Sequence, residues 1–337
     1  MIACSGGGAE RVAALLSNPP IATPPSRVAA GSEDRGGPSQ NRRRSRKVTR
    51  VSRISPPVSS PRGDPVTQDG LPASAPFVDA AWVAARLRQP GLHVVDCRWE
   101  LAQPEAGRAQ YLAGHIPGAA FMDVAGDLSG PSFDGPNGLG RHPLPAPEAF
   151  AATARRAGIT RTGLVVAYDQ GLSGGAARLW WLLRHIGKRE VVVLAGGFAA
   201  WGGDLEAGAV VPAPGDLTAG APLHDDLADH ETTLAAAADE AVLVVDARAA
   251  ERFRGEVEPI DPVAGHVPGA RSTPAAAPLP DWLANDERPV VAYCGSGVSA
   301  CVTLLRLAAA GRDEARLYPG SWSDWAARGL PVATGGE

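Results

Sequence analysis

The sequence is poor in cysteine, has little net charge and contains no long apolar run. Its 337 residues include four cysteines and carry a formal net charge of −4. So few cysteines, with no C-x-x-C pair, exclude a disulfide framework and a clustered zinc site. The near-balanced charge provides no general attraction to nucleic acid or to an anionic membrane, and no stretch is apolar for long enough to cross a bilayer. Unpaired thiols suit a reducing compartment, so we expect a cytoplasmic protein without a bound metal.

Residues 1–72 are rich in proline, serine, glycine and arginine and show no sustained apolar period. The run from Arg42 to Lys47 is the strongest block of charge in this segment. Such a composition cannot bury enough apolar surface to offset the entropy lost on ordering, so we predict a disordered N-terminal extension. A basic arm, a targeting segment and a wrongly assigned start all stay open as explanations for it.

From Phe77 onward, short apolar, β-branched runs alternate with amphipathic helical patterns. The patterns predict strands over residues 92–95, 164–168 and 191–194, and helices over residues 78–87, 148–157 and 176–185, the first of them capped by Asp79. Strands that alternate with helices predict an α/β fold built on a mainly parallel sheet.

Four sequence blocks occur twice and in the same order, which indicates a tandem duplication. The matching blocks are residues 92–98 with 242–248, 113–119 with 264–270, 165–168 with 290–293, and 197–201 with 320–325. Each copy is long enough to form a domain of its own. We therefore predict two α/β domains, residues 73–205 and 224–337, joined by a linker over residues 206–223.

The second copy contains the stretch whose residues indicate catalytic chemistry most clearly. An apolar run, Val290–Tyr293, ends at Cys294, and a glycine-bearing turn then leads into a helical pattern. The glycines let successive backbone N–H groups converge, and these amides with the helix N-terminus favour a thiolate at the sulfur. The alternative is a buried structural cysteine at a strand end. We predict a nucleophilic Cys294 in a cradle formed by Gly295, Ser296, Gly297, Val298 and Ser299.

The first copy provides an internal comparison for Cys294. There Tyr168, which matches Tyr293, is followed by Asp169. A carboxylate is a tolerable anion in a cradle of amides, but it has no sulfur with which to attack a donor. We therefore expect the first domain to be catalytically inactive and the second domain to keep the chemistry.

Taken together, these residues resemble the tandem-domain rhodanese sulfurtransferases. The resemblance covers about Phe77 to Gly335 and is carried by an Asp-x-Arg after the first strand of each copy, by Gly-His-[Ile/Val]-Pro-Gly-Ala in each copy, by the Cys294 loop and by residues 320–325. It implies two rhodanese-like domains, each with a mainly parallel central sheet flanked by helices. It also implies that Cys294 accepts sulfur as a persulfide and passes it on, without a metal or an organic cofactor.

The resemblance also implies roles for individual residues. Ser296 would assist proton movement at the sulfur, and His115 would complete a relay across the cleft between the domains. Arg252 would bind a donor carboxylate, for which a planar guanidinium is well suited. The mercaptopyruvate enzymes often have a second arginine further along this loop. Residues 256–262 contain none, and Arg254 is the candidate substitute.

The neutral loop after Cys294 favours 3-mercaptopyruvate over the dianion thiosulfate as the donor. We therefore predict sulfur transfer from 3-mercaptopyruvate to a small thiol, a thioredoxin-like protein or cyanide, with no nucleic-acid or membrane partner. A thiosulfate:cyanide sulfurtransferase using the same cysteine and a persulfide relay for a protein partner are the alternatives. A cysteine phosphatase would need an arginine six residues after the cysteine to bind phosphate, and Ala300 is there instead.

Overall fold

Short buried strands and the helices between them build two parallel sheets in the computed structural model. The structure describes residues 76–131 and 140–336, and all of them lie within one compact unit, residues 61–337. None of the helices in these described ranges is long and apolar enough to cross a membrane. The predicted disordered extension, residues 1–72, lies outside the described residues.

The first domain is built on a five-stranded sheet. Its elements are β1 Phe77–Val78, α1 Ala80–Ala84, β2 Leu92–Asp96, α2 Ala106–Ala113, β3 Ala120–Phe121, α3 Pro147–Arg156, β4 Leu164–Tyr168, α4 Gly175–His185, β5 Val191–Leu194 and a 3-10 turn over Gly197–Ala200. All strands pair in parallel in the order β1-β5-β4-β2-β3. The register pairs Asp96 with Tyr168, so β2 and β4 end together at one edge of the sheet.

The second domain repeats this plan with four strands. Its elements are α5 His230–Ala237, β6 Leu243–Asp246, α6 Ala250–Phe253, β7 Arg271–Ser272, α7 Asp281–Ala284, β8 Val290–Tyr293, α8 Ala300–Ala309, β9 Arg316–Leu317 and α9 Ser321–Ala327. The strands are again parallel, in the order β7-β6-β8-β9. Asp246 pairs with Tyr293, which matches the register of the first sheet.

The central strands β4 and β8 are buried, which explains their nearly uninterrupted apolar sequences. Their valines are β-branched residues that pack well on a pleated surface. In an open parallel sheet, ligands bind beyond the carboxyl ends of the strands. The first residue beyond these ends is Asp169 in the first domain and Cys294 in the second.

One buried ion pair occurs in both domains. Asp96 and Arg98 pair at 2.6 Å, and Asp246 and Arg248 pair at the same distance. In each domain the guanidinium also donates to a glycine carbonyl of the Gly-His-x-Pro-Gly block. The first domain, which has Asp169 in place of Cys294, keeps the ion pair as well. We therefore assign the pair a structural role in the fold.

The predicted fold class is confirmed, and most predicted elements lie within a residue of their observed bounds. Helix α1 is the exception, because it ends at Ala84 and not at residue 87. Asp79 caps it as predicted, accepting a hydrogen bond from the Trp82 amide at 2.7 Å. Val83 is the buried residue of this helix, and a helix this short depends on tertiary packing for its stability.

The segment predicted as the linker lies along the first domain. Glu206 pairs with His115 in an isolated antiparallel bridge. Further along, Leu217 is buried, and its carbonyl accepts a hydrogen bond from Arg155 at 2.8 Å. These contacts anchor the chain to the first domain before the second domain begins.

The two domains meet through α4 and α8, the helices that follow the Asp169 and Cys294 loops. Gly174, at the start of α4, has φ of +114°, and a Cβ on it would lie 3.1 Å from Val298 Cγ1. The close approach therefore favours glycine at this position. It brings the loop of the first domain directly against the cysteine loop of the second.

Candidate active site

Cys294 lies at the end of β8, and the following turn places an amide on its sulfur. The Gly297 N–H donates to Cys294 Sγ at 3.1 Å. Gly297 has φ of +78°, and a Cβ there would lie 2.5 Å from the Pro319 carbonyl oxygen, so the turn requires glycine. The cysteine is 2% exposed. The Gly297 N–H, which the turn holds in place, stabilises negative charge on the buried Cys294 sulfur.

The start of α9 fixes the backbone of the cysteine loop. The Cys294 N–H donates to Ser321 Oγ at 3.1 Å. In return, the amides of Trp322 and Ser323 donate to the carbonyls of Cys294 and Gly295, at 2.9 and 3.0 Å. Ser321 has φ of +55°, which is uncommon for a residue with a side chain. These hydrogen bonds fix the loop to the start of α9, where Ser323 Oγ also accepts the Arg141 N–H of the first domain at 3.2 Å.

His142 of the first domain contacts Ser296 of the cysteine loop. Nδ1 of the histidine lies 2.8 Å from Ser296 Oγ. Burial, helped by the charges of Arg178 and Arg141, lowers the pKa of His142 from 6.5 to about 4. The ring is therefore neutral at pH 7, and in the tautomer with the proton on Nε2 it accepts a hydrogen bond from the serine hydroxyl.

His115, which we expected to complete the interdomain relay, is a buried residue of the first domain. Its Nδ1 lies 2.9 Å from the Tyr111 carbonyl oxygen, its ring stacks on Tyr111 at 4.2 Å, and its Nε2 lies 3.9 Å from Glu206. His266 in the second domain likewise stacks on an aromatic ring, at 3.7 Å. Both histidines thus support their own domains, and the histidine that contacts the cysteine loop is His142.

Arg178 on α4 is a fully buried cation that spans the domain junction. Its guanidinium donates to the carbonyls of Leu128, His142, Pro143 and Gly297, at 3.0 to 3.3 Å. Burial lowers the pKa of Arg178, because these carbonyls replace water without supplying a full negative charge. By holding His142 and Gly297 together, Arg178 fixes the histidine relative to the cysteine loop.

Two guanidinium groups approach Gly295. A Cβ on this glycine would lie 2.9 Å from Arg141 Nη2 and 3.5 Å from Arg252 Nη1. The predicted donor-binding residue Arg252 is therefore beside the cysteine loop. Arg254 is at the surface, where it pairs with Glu256 at 2.7 Å and its side chain is 39% exposed. The place that we expected Arg254 to fill is taken by Arg141 of the first domain.

Two buried acids accompany these arginines. Glu258 pairs with Arg252 at 2.6 Å, and its side chain is 3% exposed. Asp261, 5% exposed, pairs with Arg252 at 3.2 Å and also with Arg141 across the domain junction. The two arginines and the two acids have opposite charges that sum to zero.

Asp169 fills the position of Cys294 in the first domain. It is buried, and each of its carboxylate oxygens accepts two backbone hydrogen bonds of 2.7 to 3.2 Å. The donors are the amides of Gly171, Leu172, Gly174 and Ala176. The cradle of converging amides that we expected at the cysteine is thus most complete around this carboxylate.

The other described thiols are inert. Burial raises the pKa of Cys301 to about 12 and the pKa of Cys97 well above its usual range. Cys301 donates to the Gly297 carbonyl at 3.3 Å, so it acts as packing behind the loop. Within residues 76–131 and 140–336, no group of three or more His, Cys, Asp or Glu side chains could hold a metal ion.

Among the site residues that our sequence reasoning missed are Arg141 and His142. They lie between Gly140 and Pro143, in the long connection from β3 to α3. The corresponding connection of the second copy contains no such pair. Loops that a rigid scaffold positions often carry binding and catalytic groups. The available signal was therefore an Arg-His pair between glycine and proline in a long loop.

Comparison with known proteins gives a consistent family assignment. The family model of the rhodanese-like domain matches residues 79–204 and, again, residues 229–328. The first match covers β2 to β5 of the first sheet, and the second covers the whole second sheet and the Cys294 loop.

Full-length relatives align with most of the chain. A Pseudomonas aeruginosa protein named as a 3-mercaptopyruvate sulfurtransferase is 44% identical over 289 residues, which cover 78% of this chain and 99% of that protein. A Mycobacterium tuberculosis protein named as the thiosulfate sulfurtransferase SseB is 44% identical over 254 residues, covering 69% of this chain and 87% of that protein. The crystal structure of Escherichia coli SseA, a 3-mercaptopyruvate sulfotransferase, is 33% identical with a TM-score of 0.64, and the match covers 74% of this chain and 99% of that one.

Proposed function

Because this chain belongs to the rhodanese family, we propose that it is a sulfurtransferase that moves sulfur from 3-mercaptopyruvate to a thiol or to cyanide. The sulfur is carried between donor and acceptor as a persulfide on Cys294. The amide on the cysteine sulfur and the charged groups beside Gly295 support this assignment.

The position of Arg252 and Arg141 next to the cysteine loop is the observation that carries the choice of donor. Guanidinium groups pair with planar carboxylates through parallel, charge-assisted hydrogen bonds. In 3-mercaptopyruvate a short carbon chain separates the carboxylate from the thiol. A donor whose carboxylate is held over Gly295 therefore presents its sulfur to the neighbouring Cys294.

In the first half-reaction, the Cys294 thiolate attacks the sulfur of the donor. The carbon–sulfur bond breaks, and its electron pair stays on carbon as the enolate of pyruvate, which the 2-oxo group stabilises. The proton of the donor thiol is transferred to that carbon, pyruvate leaves, and the sulfur stays on Cys294 as a persulfide. In the second half-reaction, an acceptor thiolate or cyanide attacks the outer sulfur, and Cys294 departs as a thiolate.

Ser296 and His142 provide the route for this proton. The serine hydroxyl is two residues from the cysteine and is 2.8 Å from the histidine nitrogen. A neutral His142 accepts the proton that Ser296 takes from the donor thiol, and the same pair returns it to the enolate carbon. General acid–base groups placed in this way contribute about 10²–10⁴-fold to a rate.

A steady-state assay with 3-mercaptopyruvate and thiosulfate, with cyanide as the common acceptor, tests the proposal. We expect kcat/KM to be higher for 3-mercaptopyruvate and one additional sulfur atom on Cys294 when the acceptor is omitted. A higher kcat/KM for thiosulfate would contradict the donor, and transfer from neither donor would contradict the enzyme.

Arg252→Ala tests the carboxylate site, with Arg254→Ala as the matched control from the same segment. The loss of one charge-assisted pair, roughly 1.5 kcal/mol, should raise the KM for 3-mercaptopyruvate about tenfold. Arg254 pairs with Glu256 in solvent, so its replacement should leave that KM unchanged. Equal KM changes in the two variants would remove Arg252 from the donor site.

Thiosulfate:cyanide transfer through the same Cys294 is the second candidate function. It is favoured by one observation, the 44% identity to the M. tuberculosis protein whose name gives thiosulfate as its donor. The balanced charges of the arginines and acids beside Gly295 are less suited to a dianion than to a single carboxylate. The two-donor assay distinguishes the two candidates directly.

We also propose a reducing, cytoplasmic setting and a thiol acceptor, which includes a thioredoxin-like protein. Cys97, Cys294 and Cys301 are unpaired, and a reducing compartment keeps the Cys294 thiol free and supplies thiols that can accept its sulfur. If the chain instead works as a relay for a protein partner, persulfide will form readily but turnover with small acceptors will be slow.

A further inference from the structure

Four charged side chains form a cluster beside Gly295: Arg141, Arg252, Glu258 and Asp261. Arg141 belongs to the first domain, and the other three belong to α6 and the connection that follows it. Asp261 is the member that joins the domains, because one of its oxygens pairs with Arg141 and the other with Arg252. A carboxylate of the protein thus bridges the two guanidinium groups that face the cysteine loop.

The two acids of the cluster are held in different ways. Glu258 has several structural partners, since it pairs with Arg248 at 3.3 Å and accepts the amides of Ile260 and Asp261 at 3.2 and 3.1 Å. The carboxylate of Asp261 is held, among the described residues, by the two arginines of the cluster. Glu258 is therefore part of the loop framework, whereas Asp261 depends on groups that a ligand would also use.

The pKa values of the two acids agree with this difference in how firmly they are held. Burial raises the pKa of Asp261, and the neighbouring arginines offset this only in part. Burial also opposes the ionised form of Glu258, but Arg252 and the backbone amides outweigh it and keep the pKa of Glu258 below its usual range. The charged form of Asp261 is thus the less stabilised of the two.

We propose that Asp261 determines donor specificity by occupying, in the free enzyme, the place of the donor carboxylate between Arg141 and Arg252. A donor enters by displacing this internal carboxylate from the two guanidinium groups. The inference rests on the proposed function, because it concerns the donor site of that reaction.

The charges of the cluster explain how such a residue discriminates between donors. With Asp261 in place the cluster has no net charge, so a dianion gains little on approach. The carboxylate of a donor such as 3-mercaptopyruvate takes the place of the Asp261 carboxylate, so both arginines can keep the positions in which they bind Asp261. Without the Asp261 charge the cluster becomes positive, which favours the dianion more than the monoanion.

Asp261→Asn is the direct test, since it removes the charge and keeps the size of the side chain. We expect a lower KM for 3-mercaptopyruvate and a larger gain for thiosulfate, so that the ratio of kcat/KM values shifts toward thiosulfate by about tenfold. Asp261→Ala should shift the ratio in the same direction. Glu256→Gln is the matched control from the same connection, because Glu256 pairs with Arg254 at the surface and its loss should leave the ratio unchanged.

Binding of pyruvate to the Cys294→Ser protein, measured by calorimetry, separates this inference from the proposed function. Pyruvate has the carboxylate but no transferable sulfur, and Asp261→Asn in this background should tighten its binding about tenfold. If Asp261 instead holds the arginines in place for the donor, the substitution will weaken pyruvate binding and raise the KM for both donors, which overturns the proposal. An unchanged pyruvate affinity overturns it too, even where neither donor is turned over.

Discussion

The two domains have the same central strands and the same buried ion pair, and they differ at the first residue beyond the central strand. In the first domain, four backbone amides saturate the Asp169 carboxylate. In the second, one amide reaches the Cys294 sulfur. An anion whose acceptor sites are filled is stable and unreactive, whereas a sulfur with one hydrogen bond keeps lone pairs free for attack. The comparison separates a loop that holds the fold from a loop that performs chemistry.

In the proposed reaction the first domain still takes part. It supplies His142 to Ser296, Arg141 to the space over Gly295, and Arg178 to the carbonyl of Gly297. Its own Asp169 loop has no nucleophile, but its side chains contact the Cys294 loop of the second domain. A duplicated fold has thus become one site, in which the nucleophile comes from one copy and polar groups come from both.

Exchange of the residues that distinguish the domains should have the largest effect. Cys294→Ser should lower the rate of sulfur transfer at least about a thousandfold, because a serine hydroxyl does not attack the donor sulfur as a thiolate does. Adding Asp169→Cys to that variant should not restore transfer, since Arg252 and His142 lie at the second-domain loop. The measurements are steady-state rates and persulfide formation by mass spectrometry. Recovery of activity in the double variant would mean that the loops alone decide the chemistry.

The two histidines form the next comparison. His142→Asn should lower kcat about a hundredfold, because it removes the proton acceptor of Ser296. His115→Asn should leave kcat near its original value and lower the melting temperature, because it disrupts the stack on Tyr111. Single-turnover kinetics at saturating donor, with thermal unfolding of both variants, check these outcomes. A larger loss of kcat in His115→Asn would return that residue to the relay.

The fold and the nucleophile could be predicted because each is encoded within short segments. The strands appear as local apolar runs, and the duplication shows twice where each begins. Cys294 follows its strand directly and precedes two glycines, so its surroundings are set by neighbours in sequence. No long-range contact is needed to recognise either feature.

The polar groups that complete the site could not be read in this way. His142 and Ser296 are 154 positions apart, and their contact depends on how the two domains pack. The family resemblance pointed to His115, and the absence of a second arginine in residues 256–262 pointed to Arg254. His115 is buried within its own domain and Arg254 faces solvent. Arg178 lies within a buried, largely apolar helix, where its sequence neighbours give no sign of the Gly297 carbonyl that it binds in the second domain.

A smaller effect, on stability and not on catalysis, is expected at Asp169. Asp169→Asn places an amide group against two of the four N–H donors that now bind the carboxylate. The unpaired donors should cost about 2 kcal/mol of unfolding free energy, while kcat/KM for 3-mercaptopyruvate stays unchanged. Urea unfolding and the sulfur-transfer assay measure the two quantities on the same preparation. A loss of kcat/KM without a loss of stability would show that the first-domain loop takes part in the reaction.

The smallest expected effect is a pH dependence of stability that originates at His142. Its pKa falls from 6.5 to about 4 on folding, so between these values the unfolded chain binds the additional proton. The stability contributed by the neutral ring is therefore complete above pH 6.5 and is lost as the pH falls toward 4. For this residue the loss between pH 7.5 and 5.5 is about 1 kcal/mol. Urea unfolding at both pH values should show a decrease smaller by that amount in His142→Asn, whereas His115→Asn should keep the decrease of the native protein. An equal decrease in native protein and His142→Asn would mean that folding does not lower the pKa of His142, which would contradict the buried, neutral ring described here.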